Sequence, residues 1–424
     1  MNSPGARPLV LAWLVALLFY VLEYAVRSAP AVMIGRLENA YAISAVGVSG
    51  ILGAYYYAYS ISSLVAGASI DRFGAKAAVT LGVLLLAAGC FAFAVPDPGT
   101  AYWGRLLQGV GSSFAFTGAV CLASRAFSAA SLATAIGFTQ CMGMLGGSAG
   151  QFLVGPLLTH GVDWRFFWIV FGVAGIALAI AQFVLTPSAT ASTDAGTRGW
   201  IGPYRIVLSN PQSWLCGLVA GLLFLPTTIG DMTWGVAFFQ HDQQLDFGRA
   251  VTVVSMVPLG WVLGCPLFGW LADRLGARKP VIVGGCVLML ATIAQIGLLP
   301  GLLPPMVSLF LFGVESGVAM IPYTVIKESN PDEVKGSATG IQNFLVFGLS
   351  ALIGPVFSHL LGDTLEAAGD RVAHFRDAAG FWTATVAMAL VASLFLRETG
   401  RRAEGRHGWP WRPADRPGGV HPVR

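Results

Sequence analysis

Long apolar runs alternate with short polar intervals along almost the whole chain. A membrane-spanning helix needs about 20 mostly apolar residues to cross a hydrocarbon layer of about 30 Å. The sequence contains twelve such runs, six on each side of a polar interval in the middle. We predict twelve transmembrane helices over residues 8–28, 44–70, 77–96, 99–125, 131–158, 164–186, 213–239, 248–272, 280–299, 302–327, 335–361 and 378–396. This pattern is typical of an all-α membrane protein.

The polar interval divides the chain into two halves. Residues 187–212 are rich in Ser, Thr, Gly and Pro, which predicts a cytoplasmic linker. We expect a six-helix bundle over residues 1–186, a second over 213–396, and a disordered cytoplasmic tail over 397–424.

The first run also resembles a secretory signal peptide, but it is longer than the usual apolar core of such a peptide.

Composition supports a membrane protein and argues against other classes. The chain of 424 residues is 55 % hydrophobic and only 11 % charged, whereas soluble domains carry about 25 % charged residues. Most of the 25 Lys and Arg residues fall on one side of the predicted topology, which places both termini in the cytoplasm. Their scatter predicts no nucleic-acid partner. The six cysteines lie in apolar runs without metal-binding spacing, so we expect no metal and no cofactor.

A charged motif occurs once in each half. The loop after the second helix contains GASIDRFGAK, residues 67–76, and the loop after the eighth contains GWLADRLGAR, residues 269–278. Both have the form G-x-x-x-D-R-x-G-A-[KR] and lie about half the chain apart. A second similarity between the halves relates Ala133-Thr134 and Gly155-Pro156 to Ala338-Thr339 and Gly354-Pro355. Two similarities at nearly the same spacing indicate an internal duplication whose halves have the same orientation.

These residues carry a family resemblance. The motif is similar to the loop signature G-x-x-x-D-R-x-G-R-[RK] of the major facilitator superfamily, although Ala75 and Ala277 replace its usual basic residue. The matching positions are Gly67, Asp71, Arg72, Gly74 and Lys76, and Gly269, Asp273, Arg274, Gly276 and Arg278. The resemblance implies the major facilitator fold, with two six-helix bundles that move a solute by alternating access. It further implies a multi-pass protein of a bacterial inner membrane that commonly works as a monomer.

The motif has two interpretations. The resemblance implies that the Asp-Arg pairs latch the two bundles together in an outward-open state. Alternatively, the charges only mark the cytoplasmic side of the membrane.

Few ionisable side chains fall inside the predicted helices, and each is a candidate functional residue because a charge in the membrane is costly. They are Glu23, Arg27, Arg105, Asp231 and Glu315. Glu23 and Arg27 stand four positions apart, which favours a local pair. A helix rises 1.5 Å per residue, and the fourth helix enters from the outer side of the membrane. Arg105 is therefore expected at about the same depth as Glu23, so that the three side chains meet. Arg27 could instead reach the outer interface.

Arg105 begins a second motif. Arg105, Gln108, Gly109 and Gly111 fit the pattern R-x-x-Q-G-x-G, which resembles the fourth-helix motif of the family. The resemblance implies a role for Arg105 in proton coupling or in binding a substrate anion. The two glycines predict a close contact between helices.

Two further carboxylates lie in the second half. Asp231 follows Pro226 and Gly230, which should bend the seventh helix, and Trp234 lies one turn beyond. This predicts a binding site, or only the outer mouth of the cavity. Glu315 lies near the expected bilayer midplane and could carry a proton or form a structural hydrogen bond.

Other polar and aromatic residues in the helices have less definite roles. Four tyrosines crowd the second helix, Tyr55, Tyr56, Tyr57 and Tyr59. Since they cannot all face one direction, we expect two at the interface or facing lipid. A further set could line a cavity or join helices: Gln140, Gln151, Tyr323, Gln342 and Asn343.

The predicted function is secondary active transport of a small polar solute, either an organic anion or an amino acid. Buried carboxylates beside arginines favour protons as the coupling ion. No nucleotide-binding loop is present, which disfavours ATP-driven transport. Tyr24, Arg27, Pro30 and the run ESNP at 328–331 resemble a proteobacterial branch that includes phagosomal amino-acid and magnetosome iron transporters. Iron or an iron chelate is therefore the alternative substrate.

Two other classes of protein are alternatives to a transporter. A non-transporting membrane sensor could use the same fold. A membrane enzyme is disfavoured because the sequence lacks a Ser-His, paired-carboxylate or metal-ligand set, and only His359 of the six histidines lies in a predicted helix.

Overall fold

Every regular element in the described part of the chain is a helix. The computed structural model describes residues 6–127, 129–187, 202–241, 243–299, 301–331, 334–366 and 371–400. The first half contains α1 (Ala6–Ser28), α2 (Ile34–Tyr41), α3 (Ala45–Phe93), α4 (Pro98–Ala126), α5 (Ala129–Phe152), α6 (Val154–Thr159) and α7 (Trp164–Leu185). The remainder contains α8 (Gly202–Leu208), α9 (Pro211–Leu225), α10 (Gly235–His241), α11 (Phe247–Val254), α12 (Met256–Leu275), α13 (Lys279–Leu298), α14 (Pro305–Ser316), α15 (Ile321–Glu328), α16 (Lys335–Glu366) and α17 (Arg371–Ser393).

The helices account for all twelve predicted spans. Among the described residues, ten helical segments are long and apolar enough to cross a membrane. The second predicted span is the part of α3 before Gly74, and the twelfth contains the shorter apolar segment Ala378–Ser393. The predicted twelve-helix fold class is therefore confirmed.

Two motif glycines permit sharp changes of chain direction. Gly74 interrupts α3 with φ 81° and ψ 159°, and so separates the second span from the third. Gly276 ends α12 with φ 61°, and its N–H donates to Asp273 O at 3.2 Å. Glycine adopts positive φ without the steric cost that a Cβ imposes.

Side-chain caps begin several helices. Asp97, Asp163 and Asp246 accept hydrogen bonds from the N–H groups of Thr100, Arg165 and Arg249 at 2.7, 2.9 and 3.1 Å. These caps satisfy donors that a helix leaves unpaired in its first turn. The Thr100 hydroxyl and N–H also hold the pKa of Asp97 below its usual range.

Close helix contacts build each half. In the first half α1 packs against α4, α5 and α7, and α3 packs against α4 and α7. A Cβ at Gly109 or Gly111 would collide with α3, so the predicted close contact at these glycines is confirmed. In the second half α12 packs against α14, and α9 packs against α16 and α17.

Large apolar side chains cover the outside of the bundle. Ile180, Val184 and Leu352 are 61, 69 and 69 % exposed. Such a surface is suited to lipid and not to water.

The last described residues differ from the predicted disordered tail. Glu398 accepts hydrogen bonds from Arg278 N at 2.6 Å and Lys279 N at 3.1 Å, at the start of α13. A carboxylate is favoured there because the first N–H groups of a helix lack internal partners. The expectation of disorder is therefore wrong for residues 397–400, whereas 401–424 lie outside the described residues. The expected linker is described only in part, and α8 occupies its second portion.

Candidate functional site

Glu23 and Arg27 form a buried ion pair on α1. Both side chains are almost fully inaccessible, at 0 and 2 %, so Arg27 does not reach the outer interface. The pair leaves two atoms without a hydrogen-bond partner among the described residues, Glu23 Oε2 and Arg27 Nη1. Buried polar atoms are normally satisfied, so this unused acceptor and donor mark a place for a ligand or water.

Tyr55 joins this pair to the second span. Its hydroxyl donates to Glu23 Oε1, and Arg27 Nε donates to the same hydroxyl at 3.2 Å. Tyr55, Tyr56 and Tyr59 are buried, whereas Tyr57 is 44 % exposed. The expectation that two of the four would face outward is wrong, because the other three point into the bundle.

Arg105 lies beside the pair but is held by uncharged groups. Its Nη1 donates to Gln108 Oε1 at 2.6 Å and to Val26 O at 3.2 Å, and Nη2 reaches Leu52 O at 3.5 Å. Its Cζ lies 4.6 Å from the centre of the Tyr55 ring. The three predicted residues thus meet in one cluster, with Tyr55 between Arg105 and the ion pair. Arg105 forms no ion pair with any described carboxylate.

Aromatic rings from both halves enclose Arg27. Its Cζ lies 4.3 Å from the ring centre of Tyr24, 4.9 Å from Tyr59 and 4.8 Å from Phe347. Phe347 belongs to α16 in the second half, so the cluster lies where the two halves meet. We call Glu23, Arg27, Tyr55 and Phe347 the central cluster.

Polar residues surround the central cluster. Tyr20 donates to Gln140 Oε1 at 2.9 Å, and Gln140 Nε2 donates to Tyr24 at 3.1 Å. Across the interface, Tyr323 donates to Asn343 Oδ1 at 2.8 Å, which leaves Asn343 Nδ2 without a described partner. Gln342 instead joins helices, since it donates to Cys216 O at 3.1 Å. The amide atoms of Gln151 have no partner among the described residues.

Asp231 lies away from the central cluster. It belongs to a π-helix, Pro226–Trp234, that interrupts the seventh span where Pro226 and Gly230 predicted a bend. Asp231 and Trp234 line a cavity of about 110 Å³ whose walls all come from the second half. Elsewhere in this π-helix, Thr228 O accepts from Tyr56 of the first half at 3.4 Å.

Glu315 packs against the ninth span. Its Oε1 accepts from Thr292 at 2.9 Å, and its Oε2 has no partner among the described residues. The contact joins α14 to α13, so the structure does not bring Glu315 into the central cluster.

The two copies of the loop motif are used differently. Gly67 packs against the second half, and a Cβ there would lie 3.1 Å from Gly336 O. Gly269 has no neighbour within 4 Å of such a Cβ among the described residues. The duplicated glycines are therefore similar in sequence but not in environment.

The charged residues of the motif also differ between copies. Arg278 pairs with Asp273 at 2.6 Å and with Glu328 at 3.0 Å, and Arg274 lies 5.0 Å from the Trp270 ring. In the first copy Lys76 Nζ lies 4.6 Å from the Phe183 ring, and Arg72 is exposed. The Asp71 side chain lies outside the described set, so its latch role stays a prediction.

The two halves touch at both ends of the bundle. At the end that carries the motifs, which we call the motif end, Ser60 donates to Phe344 O at 2.8 Å, and a Cβ on Gly340 would lie 2.7 Å from Ser63 O. Nearer the opposite end Ser148 donates to Ser255 O at 3.1 Å. The central cluster lies between these two sets of contacts. Opening of the bundle at one end only would therefore expose the cluster from that end.

The sequence and fold place the chain in a known class of membrane protein. The Major Facilitator Superfamily model matches residues 16–355, and the chain belongs to this superfamily. The protein is accordingly a membrane transporter of this family and not an enzyme.

Individual relatives are distant. The probable galactarate/D-glucarate transporter GudP of Bacillus subtilis strain 168 is 22 % identical over 93 % of each chain. The membrane sensor protein UhpC of Salmonella typhimurium strain LT2 is 29 % identical, over 36 % of this chain and 35 % of its own. The solved proton:xylose symporter XylE, from E. coli, superimposes with a TM-score of 0.71 at 14 % identity, over 93 % of this chain and 97 % of its own.

Proposed function

We propose that the chain is a proton-coupled secondary transporter of a small hydroxylated organic anion, such as a sugar acid. The observation that carries the proposal is the central cluster, where a buried ion pair keeps an unused donor on Arg27 and an unused acceptor on Glu23. The Arg27 guanidinium can bind a carboxylate. A hydroxyl group can donate to Glu23 Oε2 or accept from Arg27 Nη1.

The surroundings favour a hydroxylated substrate over an apolar one. Aromatic rings beside Arg27 can cover the C–H face of a carbon chain, while Asn343 Nδ2, which has no partner among the described residues, can donate to a hydroxyl group. The similarity to a galactarate/D-glucarate transporter supports this class. An amino acid remains the competing substrate, because its ammonium and carboxylate would match Glu23 and Arg27.

Charge balance suggests how protons are coupled. Arg27 neutralises Glu23 when no substrate is bound. A substrate carboxylate on Arg27 would compete with Glu23 for the guanidinium, and Arg105 cannot replace Arg27 as partner where it stands, because it bonds to Gln108 and Val26 O. Glu23 would then carry a buried charge without an ion-pair partner, which is costly inside a membrane protein. Proton uptake by Glu23 removes this charge, so one proton accompanies each carboxylate that pairs with Arg27.

Movement across the membrane follows from the position of the cluster between the two halves. Bundles over 1–186 and 213–396, joined by 187–212, would open alternately at the motif end and at the opposite end. We place the motif end and both termini in the cytoplasm of a bacterial cell, with the protein in the inner membrane as a monomer.

Free iron ions are disfavoured as a substrate, whereas an iron chelate needs no metal ligands from the protein. Among the described residues no group of three His, Cys, Asp or Glu side chains could hold a metal ion. The sensor alternative rests on the partial similarity to UhpC, and it predicts binding without flux.

The proposal is tested by uptake into proteoliposomes under an imposed proton gradient, with sugar acids, neutral sugars, amino acids and ferric chelates compared. We expect sugar acids to enter with protons. Glu23→Gln should abolish proton-driven accumulation but retain exchange of internal for external substrate, and Arg27→Gln should abolish both. The exposed residues Asp163 and Arg165 give matched controls, Asp163→Asn and Arg165→Gln, that should transport normally.

Three results would contradict the assignment. Normal accumulation in Glu23→Gln together with loss in Glu315→Gln would move the proton site to α14. Preference for amino acids would change the substrate class. Saturable binding without flux for every compound would support the sensor.

A further inference from the structure

The cavity in the second half is chemically unlike the central cluster. Its lining comes from the π-helix and from α10, α12, α13, α14, α16 and α17, with no residue of the first half. Almost all of that lining is apolar or aromatic, including Trp234, Phe312 and Trp382. Asp231 is the one ionisable residue among the residues that line it.

Asp231 lacks the partners that a buried carboxylate requires. The residue is 6 % exposed, and neither carboxylate oxygen has a hydrogen-bond partner among the described residues. Burying such a group without a partner is costly. The structure keeps it beside an open space where a ligand could supply the missing donor.

Gly230 lets the ring of Trp382 approach the backbone next to the Asp231 carboxylate. A Cβ at Gly230 would lie 3.1 Å from the Trp382 ring, so the ring packs directly over the backbone next to Asp231. Trp382 in turn packs on Phe357 with ring centres 4.5 Å apart. Aromatic faces attract cations as well as apolar groups.

The size of the cavity suits one aromatic ring. A cavity of about 150 Å³ lined by apolar side chains binds benzene, and this one measures about 110 Å³. A smaller adjoining pocket shares Phe239, Ile296 and Leu309 with it. That pocket is also lined by Gln243, Gln295 and Ser308, so it is partly polar.

We propose that this cavity is a second binding site, separate from the central cluster, for a small aromatic amine whose ammonium group pairs with Asp231. The ring of the ligand occupies the space between Trp234, Phe312 and Trp382. Its ammonium group supplies the donors that Asp231 lacks. The site does not depend on which solute the protein transports.

The test uses the full-length protein in phosphatidylcholine nanodiscs and three compounds of matched shape. Radiolabelled 4-phenylbutylamine is the probe, and unlabelled 4-phenylbutanol and 4-phenylbutyrate are the neutral and anionic competitors. Binding to empty nanodiscs is subtracted. We expect saturable amine binding, and competition at least tenfold weaker for the alcohol and weaker still for the acid.

Variants locate the site. Asp231→Asn keeps the side-chain shape and removes the charge, so amine affinity should fall at least tenfold while thermal stability is maintained or raised. Asp231→Glu keeps a carboxylate and should bind the amine more tightly than Asp231→Asn does. Glu23→Gln should bind the amine as the unmodified protein does, as should Asp246→Asn, which alters an exposed carboxylate.

Contrary outcomes are equally definite. Equal affinity for amine and alcohol, or unchanged binding in Asp231→Asn, would reduce the cavity to a non-selective apolar space. Loss of amine binding in Glu23→Gln would assign the amine to the central cluster and overturn the second site.

Discussion

The hydroxyl of Tyr55 donates a hydrogen bond to Glu23 Oε1, the same oxygen with which Arg27 pairs. One side chain from the second span therefore fixes the orientation of an ion pair on the first. The ring of Tyr55 also lies 5.4 Å from Arg27 Cζ and 4.6 Å from Arg105 Cζ. The arrangement makes the hydroxyl and the ring separable by mutation.

Tyr55→Phe removes the hydroxyl and keeps the ring. A hydrogen bond to a charged group contributes about 1.5–3 kcal/mol, so we expect substrate affinity or turnover to fall about tenfold or more. Uptake kinetics in proteoliposomes measure the change. Tyr57→Phe, at the exposed tyrosine of the same helix, is the matched control, and an equal effect of both changes would show that the Glu23 contact is not responsible.

Arg27→Lys keeps the charge but loses the planar guanidinium. Lysine cannot bind a carboxylate in two places and stacks less well on the rings of Tyr24, Tyr59 and Phe347. We expect KM for the anionic substrate to rise at least tenfold, with the protein still folded. Arg165→Lys alters an exposed arginine that lies 5.7 Å from the Trp164 ring and should leave KM unchanged; an unchanged KM in Arg27→Lys would remove Arg27 from the binding site.

The two motif glycines should respond differently to the same substitution. Gly67→Ala puts a Cβ 3.1 Å from Gly336 O, whereas Gly269→Ala meets no described atom within 4 Å. We expect Gly67→Ala to push the halves apart at the motif end and to favour opening there. Spin labels placed across that end would show a longer mean distance for Gly67→Ala and no change for Gly269→Ala, and identical distances in both variants would contradict the packing argument.

The second copy of the motif should stabilise the protein through Arg278. Its side chain is 13 % exposed and pairs with Asp273 and Glu328, whose side chains are 45 and 31 % exposed. Because solvent screens both pairs, we expect Arg278→Ala to cost only about 1 kcal/mol, with a smaller loss in high salt. Thermal unfolding at low and high salt measures this, with exposed Arg274→Ala as control; a loss that does not change with salt would point to packing instead of charge.

The number and order of the spans could be predicted from sequence because bilayer thickness fixes the length of an apolar helix. The meeting of Glu23, Arg27 and Arg105 was also predictable, since helical rise places them at one depth. The depth of a residue in the membrane does not show which way its side chain points. Three of four neighbouring tyrosines turn inward, and Asp231 faces a cavity of its own half instead of the central cluster.

Contacts between distant segments account for the other differences. Arg105 is held by the carbonyl oxygens of Val26 and Leu52, and any sequence supplies such oxygens, so their use leaves no pattern. Phe347 reaches Arg27 from another helix more than 300 positions away. Glu398 falls in the stretch predicted as a disordered tail, and its bond to the start of α13 depends on where the last helix ends.

The bond between Glu398 and the start of α13 has a practical consequence. Residues 397–400 are attached directly to the second motif, and Gly400 packs against Ala277 closely enough that a Cβ would lie 2.8 Å from its Cα. A fluorophore attached at Arg397, which is exposed, would therefore lie on the part of the molecule that the proposed alternate opening of the bundles displaces. Its emission could follow single turnovers of the protein without any label placed inside the membrane.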